Sequence, residues 1–185
     1  MIAWLKQNPG KASAGTSGIG GPSYMSAAFF QTRTGTRFQL VPYRGSGPAL
    51  LDLVAGQLDI MITGPAIALP HVRDRAVKAY AVTARDRIAA APDIPTTDEA
   101  GLAGFYFSAW CGLWVPKGTP RDIIARLSAA VRDALADPTV RRRLAVLAIE
   151  IPPPEMLGPE PLAAFHKAEI DKWWPIIKAA GIKGE

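Results

Sequence analysis

A short apolar strand that runs into a loop of glycines and hydroxyl residues, and then into a helix, occurs twice in the first 56 residues of this chain. No other feature constrains the fold as much. In the first unit, Lys11 and the small residues after it lead into Gly15-Thr16-Ser17-Gly18-Ile19-Gly20-Gly21-Pro22-Ser23. A helix follows over about residues 24–32, with Met25, Ala28 and Phe29 on one face. In the second, strand 38–43 (FQLVPY) is closed by Arg44-Gly45-Ser46-Gly47, and a helix with Pro48 in its first turn runs to Gly56. A third strand, 58–63 (LDIMIT), is apolar enough to be buried and meets Gly64-Pro65, which opens a helix holding Leu69, Val72 and Arg73. Residues 78–83 (KAYAVT) read as a fourth strand. Strands alternating with short helices at this spacing predict right-handed crossovers and a mostly parallel α/β sheet.

The flanking regions are read by the same signals. Residues 1–10 predict the last turns of a helix, with Ile2, Leu5 and Trp4 buried and a stop at Asn8-Pro9-Gly10; they lack the apolar core of a signal peptide. Pro92, Pro95 and Gly101 mark a long turn-rich crossing, and residues 105–115 (FYFSAWCGLWV) an aromatic strand. Thr119 is expected to cap a helix with Pro120 at its first position and Ile123, Ile124, Leu127, Ala130, Val131 and Leu135 at helical spacing. A shorter helix starts at Pro138. After Pro152-Pro153-Pro154 comes a C-terminal helix with Phe165, Ile170 and Trp173.

Composition removes several function classes. Of 185 residues, 49% are hydrophobic and 20% charged, enough to bury a core, yet no apolar run approaches the roughly 20 residues that span a bilayer. The single Cys111 excludes an intramolecular disulfide and a multi-cysteine zinc site. The net charge of +5 comes with one tight basic run, Arg141 to Arg143, without aromatic residues interleaved to stack bases, so nucleic-acid binding is not expected. A mildly basic field favours small anions instead.

The chemistry-bearing patterns are sparse. The first glycine loop lacks the Lys of a phosphate loop and the third glycine of a dinucleotide fingerprint, so no cofactor is expected. What remains is general: small residues at a helix N-terminus expose backbone N–H groups, and the helix dipole favours an anion there. Two such ends at neighbouring strand termini converge on one small anion, unless both loops are ordinary tight turns. No nucleophile has a positioned base. Cys111 is expected to be a buried, inert thiol in its strand, and His71 and His166 form no metal-ligating pair. Ser17 fails the G-x-S-x-G pattern. Asp59 is either a functional carboxylate or a structural acceptor for backbone N–H groups.

The run Val41-Pro42-Tyr43-Arg44-Gly45-Ser46-Gly47-Pro48-Ala49-Leu50, followed by Asp52-Leu53 and Gly56-Gln57-Leu58-Asp59, resembles a signature of the tripartite tricarboxylate transporter receptors, the Bug family. Asn8-Pro9-Gly10-Lys11, Leu69-Pro70-His71-Val72, Pro92-Asp93-Ile94-Pro95-Thr96, Glu99-Ala100-Gly101-Leu102, Gly118-Thr119-Pro120 and Ala136-Asp137-Pro138 extend the resemblance in order along nearly the whole chain.

The resemblance implies a type II periplasmic-binding-protein fold, in which two α/β lobes close on a small organic carboxylate and deliver it to a membrane permease. It implies no enzymatic activity, no metal and no cofactor, and a periplasmic location, or a cytoplasmic one if Met1 is the true start. Residues 1–107 would form the complete second, ligand-binding lobe and residues 108–185 the C-terminal portion of the first. Thr16, Ser17, Gly18 and Gly20 would line one side of the pocket, Ser46, Gly47, Pro48 and Ala49 would present a helix N-terminus, and Thr63 would project from the next strand. Family members usually carry Asp or Asn near Thr63-Gly64, and an aromatic residue where this chain has Cys111. On this mapping the chain is a shortened receptor that exposes Trp110, Trp114 and the helix of Ile123, Ile124 and Leu127. It would then form a homodimer, with exchange of the C-terminal segment as one route. The alternative is a dimeric interaction module that has lost ligand capture; a small α/β enzyme is the remaining reading.

Overall fold

A computed structural model describes residues 1–179, 181 and 182. The elements follow in the order α1 (Ile2–Gln7), β1 (Ser13–Thr16), α2 (Pro22–Thr34), β2 (Gln39–Pro42), α3 (Ser46–Val54), β3 (Ile60–Met61), α4 (Pro65–Arg73), α5 (Arg121–Ala136), α6 (Pro138–Val146) and α7 (Pro159–Ala179), with a 3-10 turn at Pro154–Met156. The chain divides into two compact units: Met1–Ala109 with the stretch from Pro175 onward, and Trp110–Trp174.

The first unit is α/β. Its sheet has the order β2-β1-β3, all parallel, with Ala14 opposite both Leu40 and Ile60. The central strand β1 must be buried on both faces, and small residues answer that need: Ala14, Gly15 and Thr16 are all buried. Gly15 is required for close packing. A Cβ there would sit 2.5 Å from Leu58 Cδ1 and 3.1 Å from Ala49 Cβ, so the missing side chain makes room for Leu58 and for Ala49 of α3 against the sheet. The core gathers Leu5, Ala12, Ala14, Ala27, Phe30, Phe38 and Phe105, with Phe29, Leu40 and Ile60 packed around it. Pro42 lies on edge strand β2 and has no N–H to offer an incoming strand.

Several expectations are corrected. On α1 only Leu5 is buried, and Trp4, on another face of this one-and-a-half-turn helix, is 50% exposed. Strand 58–63 contracts to Ile60–Met61. Residues 78–83 form no strand; Val82 makes one parallel bridge to Thr96, and Pro95, which has no N–H, cannot extend the ladder. What holds this region is side-chain chemistry. Thr96 and Glu99 cap each other reciprocally, Thr96 N–H to the Glu99 carboxylate (2.7 Å) and Glu99 N–H to Thr96 Oγ1 (3.2 Å), while Arg87 donates to both Glu99 oxygens. The Arg87 bond, then the Thr96 N–H, hold the Glu99 carboxyl below its ordinary range. Asp98 is lowered likewise by hydrogen bonds from the Tyr106 hydroxyl and the Gly104 N–H.

The aromatic segment 105–115 is not a strand either. Phe107 N–H donates to Thr83 O and Thr83 Oγ1 donates back to Phe107 O, but no strand pairs with the segment among the described residues. Cys111 is therefore exposed, not buried. Thr119 does not cap α5: its hydroxyl donates to Pro116 O, Pro120 takes the cap position, and the helix begins at Arg121. Asp137 caps α6 through bonds from Thr139 N–H and Val140 N–H.

In the second unit Trp110 is half-buried, with its ring edge-on to Phe165 at 5.1 Å, and His166 lies against the Trp114 ring at 4.8 Å. None of the residues of α5 is buried; Ile123 and Leu127 are each 38% exposed and Trp114 is 56% exposed.

Candidate functional site

In a parallel sheet the carboxyl ends of all strands share one edge, and each strand here is followed by a loop and a helix N-terminus at that edge. The loop after β1 needs its glycines, since Gly18 has φ +112° and Gly20 φ +76°. A Cβ on Gly18 would lie 3.7 Å from Tyr43 O, so the loop passes directly over the end of β2. Ser23, at the start of α2 and buried, organises the loop. Its Oγ accepts from Ser17 N–H at 2.6 Å and lies 2.8 Å from Ser17 Oγ. With Ser23 donating to Ser17 Oγ, the Ser17 proton is left to point elsewhere.

The loop after β2 is set by Tyr43, whose N–H donates to Thr16 O at 2.9 Å and so prolongs the ladder by one residue. Gly45 then turns the chain at φ +110° and α3 begins at Ser46. The Tyr43 hydroxyl reaches across to Asp52 Oδ2 on α3 at 2.6 Å. That bond, then burial, raises the Tyr43 pKa above the ordinary phenol value.

The three helix N-termini are not equivalent. No side chain caps any of them, but α2 and α4 begin with Pro22 and Pro65, which have no N–H. α3 instead opens with Ser46 and Gly47, which carry N–H groups, and has its proline, Pro48, at the third position. Gly47 is exposed, with nothing within 4 Å of where its Cβ would stand. The first turn of α3 is therefore open to an anion.

The predicted site residues separate accordingly. Ser17, Gly18 and Gly20 lie in the loop after β1 and Ser46, Gly47 and Pro48 in the first turn of α3, all with exposed or half-buried surface, and half-buried Thr63 follows β3 at the same edge. Thr16 and Ala49 are 0% exposed, which takes both out of any surface a ligand can touch. The Thr16 hydroxyl donates to Val41 O at 3.4 Å, and Ala49 packs α3 against β1. Asp59 is structural, since one carboxylate oxygen accepts from both Ser13 N–H (2.8 Å) and Ser13 Oγ (2.9 Å). Ser23, Tyr43 and Asp52 stand in the loop and the signature run but carry no site role on sequence alone; the signal for Ser23 is a second hydroxyl six residues after Ser17 in the same loop. Among the described residues no group of three His, Cys, Asp or Glu side chains is placed to hold a metal, and no helix is long and apolar enough to cross a membrane.

The family model described as the tripartite tricarboxylate transporter family receptor matches residues 1–182. The chain belongs to this receptor family. Among curated relatives, the UPF0065 protein in the TAR-I ttuE-ttuC' intergenic region of Agrobacterium vitis is 39% identical over 181 residues, 98% of this chain and 52% of that protein. Among solved structures, the periplasmic binding protein BugD superposes with a TM-score of 0.90 at 33% identity, over 100% of this chain and 61% of that one. MatC from Rhodopseudomonas palustris, solved with bound malate, gives a TM-score of 0.89 at 38% identity, over 95% and 60%. The fold is thus that of part of a periplasmic binding protein, and this receptor-family chain spans about half the length of the curated relatives it matches.

Proposed function

We propose that this receptor-family chain captures a small organic carboxylate, of the dicarboxylate class that malate represents, for a tripartite-type transporter. The observation that carries the reading is the first turn of α3. Its Ser46 and Gly47 amides have no side-chain cap and the space above Gly47 is open, while the neighbouring Ser17 loop, which passes by Tyr43 O, offers a further hydroxyl. A carboxylate there accepts from these N–H groups and from Ser17, and the dipole of α3 favours its charge. Gly18, Gly20 and Pro48 shape the surface, and Thr63 offers a further hydroxyl from the neighbouring strand end. MatC, 38% identical, has malate bound, which supports a dicarboxylate here.

On this reading the unit Met1–Ala109, with the stretch from Pro175 onward, acts as the ligand-gripping lobe, Trp110–Trp174 contributes to the other lobe, and the receptor works in the periplasm with a membrane permease as partner. The family and the fold neighbours are receptors and binding proteins, which supports capture and delivery as the role. The exposed apolar residues of α5 favour a second reading, a homodimer or segment-exchanged dimer acting as an interaction module. Light scattering that shows a dimer, together with no carboxylate binding, would favour it over capture.

Gly47→Leu tests the proposal. The added side chain points into open space, but it stands in a helical turn directly before Pro48, whose ring disfavours a Cβ there, so a small fall in melting temperature is expected. Malate affinity, measured by calorimetry, should fall at least tenfold, about 1.4 kcal/mol. Unchanged affinity would remove the α3 first turn from the site.

A further inference from the structure

We propose that Tyr43 and Asp52 are a positioning pair that sets the anion-binding turn; the proposal rests on the carboxylate-capture reading above. The turn at residues 44–47 has little to hold it in place. Gly45 and Gly47 have nothing within 4 Å of a would-be Cβ, and among the described residues exposed Arg44 makes no hydrogen bond or ion pair. Its shape is therefore imposed from its two ends.

Tyr43 holds one end in three ways. Its N–H is bonded to Thr16 O, its carbonyl is the surface that Gly18 approaches, and its hydroxyl spans to Asp52 on the second turn of α3. Asp52 is itself fixed, because its carbonyl accepts from Gln57 N–H (2.8 Å) and Leu58 N–H (3.3 Å) where the chain leaves α3 for β3. The 2.6 Å bond between phenol and carboxylate closes a ring of chain around the turn and fixes the angle at which α3 meets β2. The Ser46 and Gly47 amides are thereby aimed before a ligand arrives, and preorganisation of this kind lowers the entropic cost of binding. Because Gly18 rests against the Tyr43 carbonyl, the same residue keeps the two loops in register.

Tyr43→Phe keeps the ring and deletes only the hydroxyl. Amide hydrogen exchange at residues 44–47 without ligand should quicken about tenfold, and malate Kd should rise about tenfold, with a small change in melting temperature. Asp52→Ala should match it, Asp52→Asn should recover part of the loss through its remaining acceptor oxygen, and the double variant Tyr43→Phe/Asp52→Ala should be no worse than either alone. Equal exchange and equal Kd in Tyr43→Phe and the parent chain would overturn the proposal. If the parent chain binds no malate, the capture reading fails separately, and the exchange rates alone still decide whether the pair holds the turn.

Discussion

Replacing Phe105 by alanine is expected to cost about 3–5 kcal/mol of stability, since deleting a buried aromatic ring loses its transfer free energy and leaves a cavity. Phe105 is 1% exposed and belongs to no helix or strand, yet it is the largest fully buried side chain among the described residues. Its ring stacks on Phe29 at 5.0 Å and 21° and meets Phe30 edge-on at 5.6 Å and 86°, so it packs against two neighbouring aromatic residues of α2. The backbone cannot readily collapse into the gap, because the Phe105 carbonyl is tied to Thr97 Oγ1 at 2.9 Å. Against a total stability of about 5–15 kcal/mol, the loss is large enough to read directly as a fall in urea midpoint. A cost below about 1 kcal/mol, the scale of a surface substitution, would contradict the placement of Phe105 at the centre of the core.

The second large effect is expected at Gly15, where valine should destabilise the first unit by about 1–3 kcal/mol and weaken carboxylate binding as well. The new Cβ alone would sit 2.5 Å from Leu58 Cδ1 and 3.1 Å from Ala49 Cβ. Leu58 is 6% and Ala49 0% exposed, so neither has room to retreat. Relief takes a shift of the Leu58 side chain and, at Ala49, movement of α3 away from β1, and α3 carries the Ser46 and Gly47 amides. Loss of stability with unchanged malate affinity would separate the packing of α3 from the site and count against the capture reading.

The repeated strand, glycine loop and helix were legible because each local signal agreed with the next: Gly45 turning the chain, Pro48 early in α3, Gly64-Pro65 opening α4. The same signals located the two loops of the candidate site. They could not tell a pocket-lining residue from the one beneath it. Thr16 and Ser17 are adjacent hydroxyl residues, and only the sheet decides that Thr16 is enclosed while Ser17 stays half-buried. The aromatic run 105–115 reads as a strand because its residues suit one, but a strand also needs a neighbour, which composition does not supply. Thr119 follows the capping pattern, yet Pro116 O is closer to hand for its hydroxyl. The Tyr43 to Asp52 bond spans nine residues, a separation with no periodic signature.

A dicarboxylate is expected to bind at the loop after β1 and the first turn of α3. A titration of the 15N-labelled chain with malate, followed by two-dimensional NMR, tests it most directly. Saturable shifts concentrated on the amides of Ser17, Gly18, Ser46 and Gly47 are the predicted result. A well-dispersed spectrum that stays unchanged to millimolar malate, or shifts centred on another face of the sheet, would contradict it.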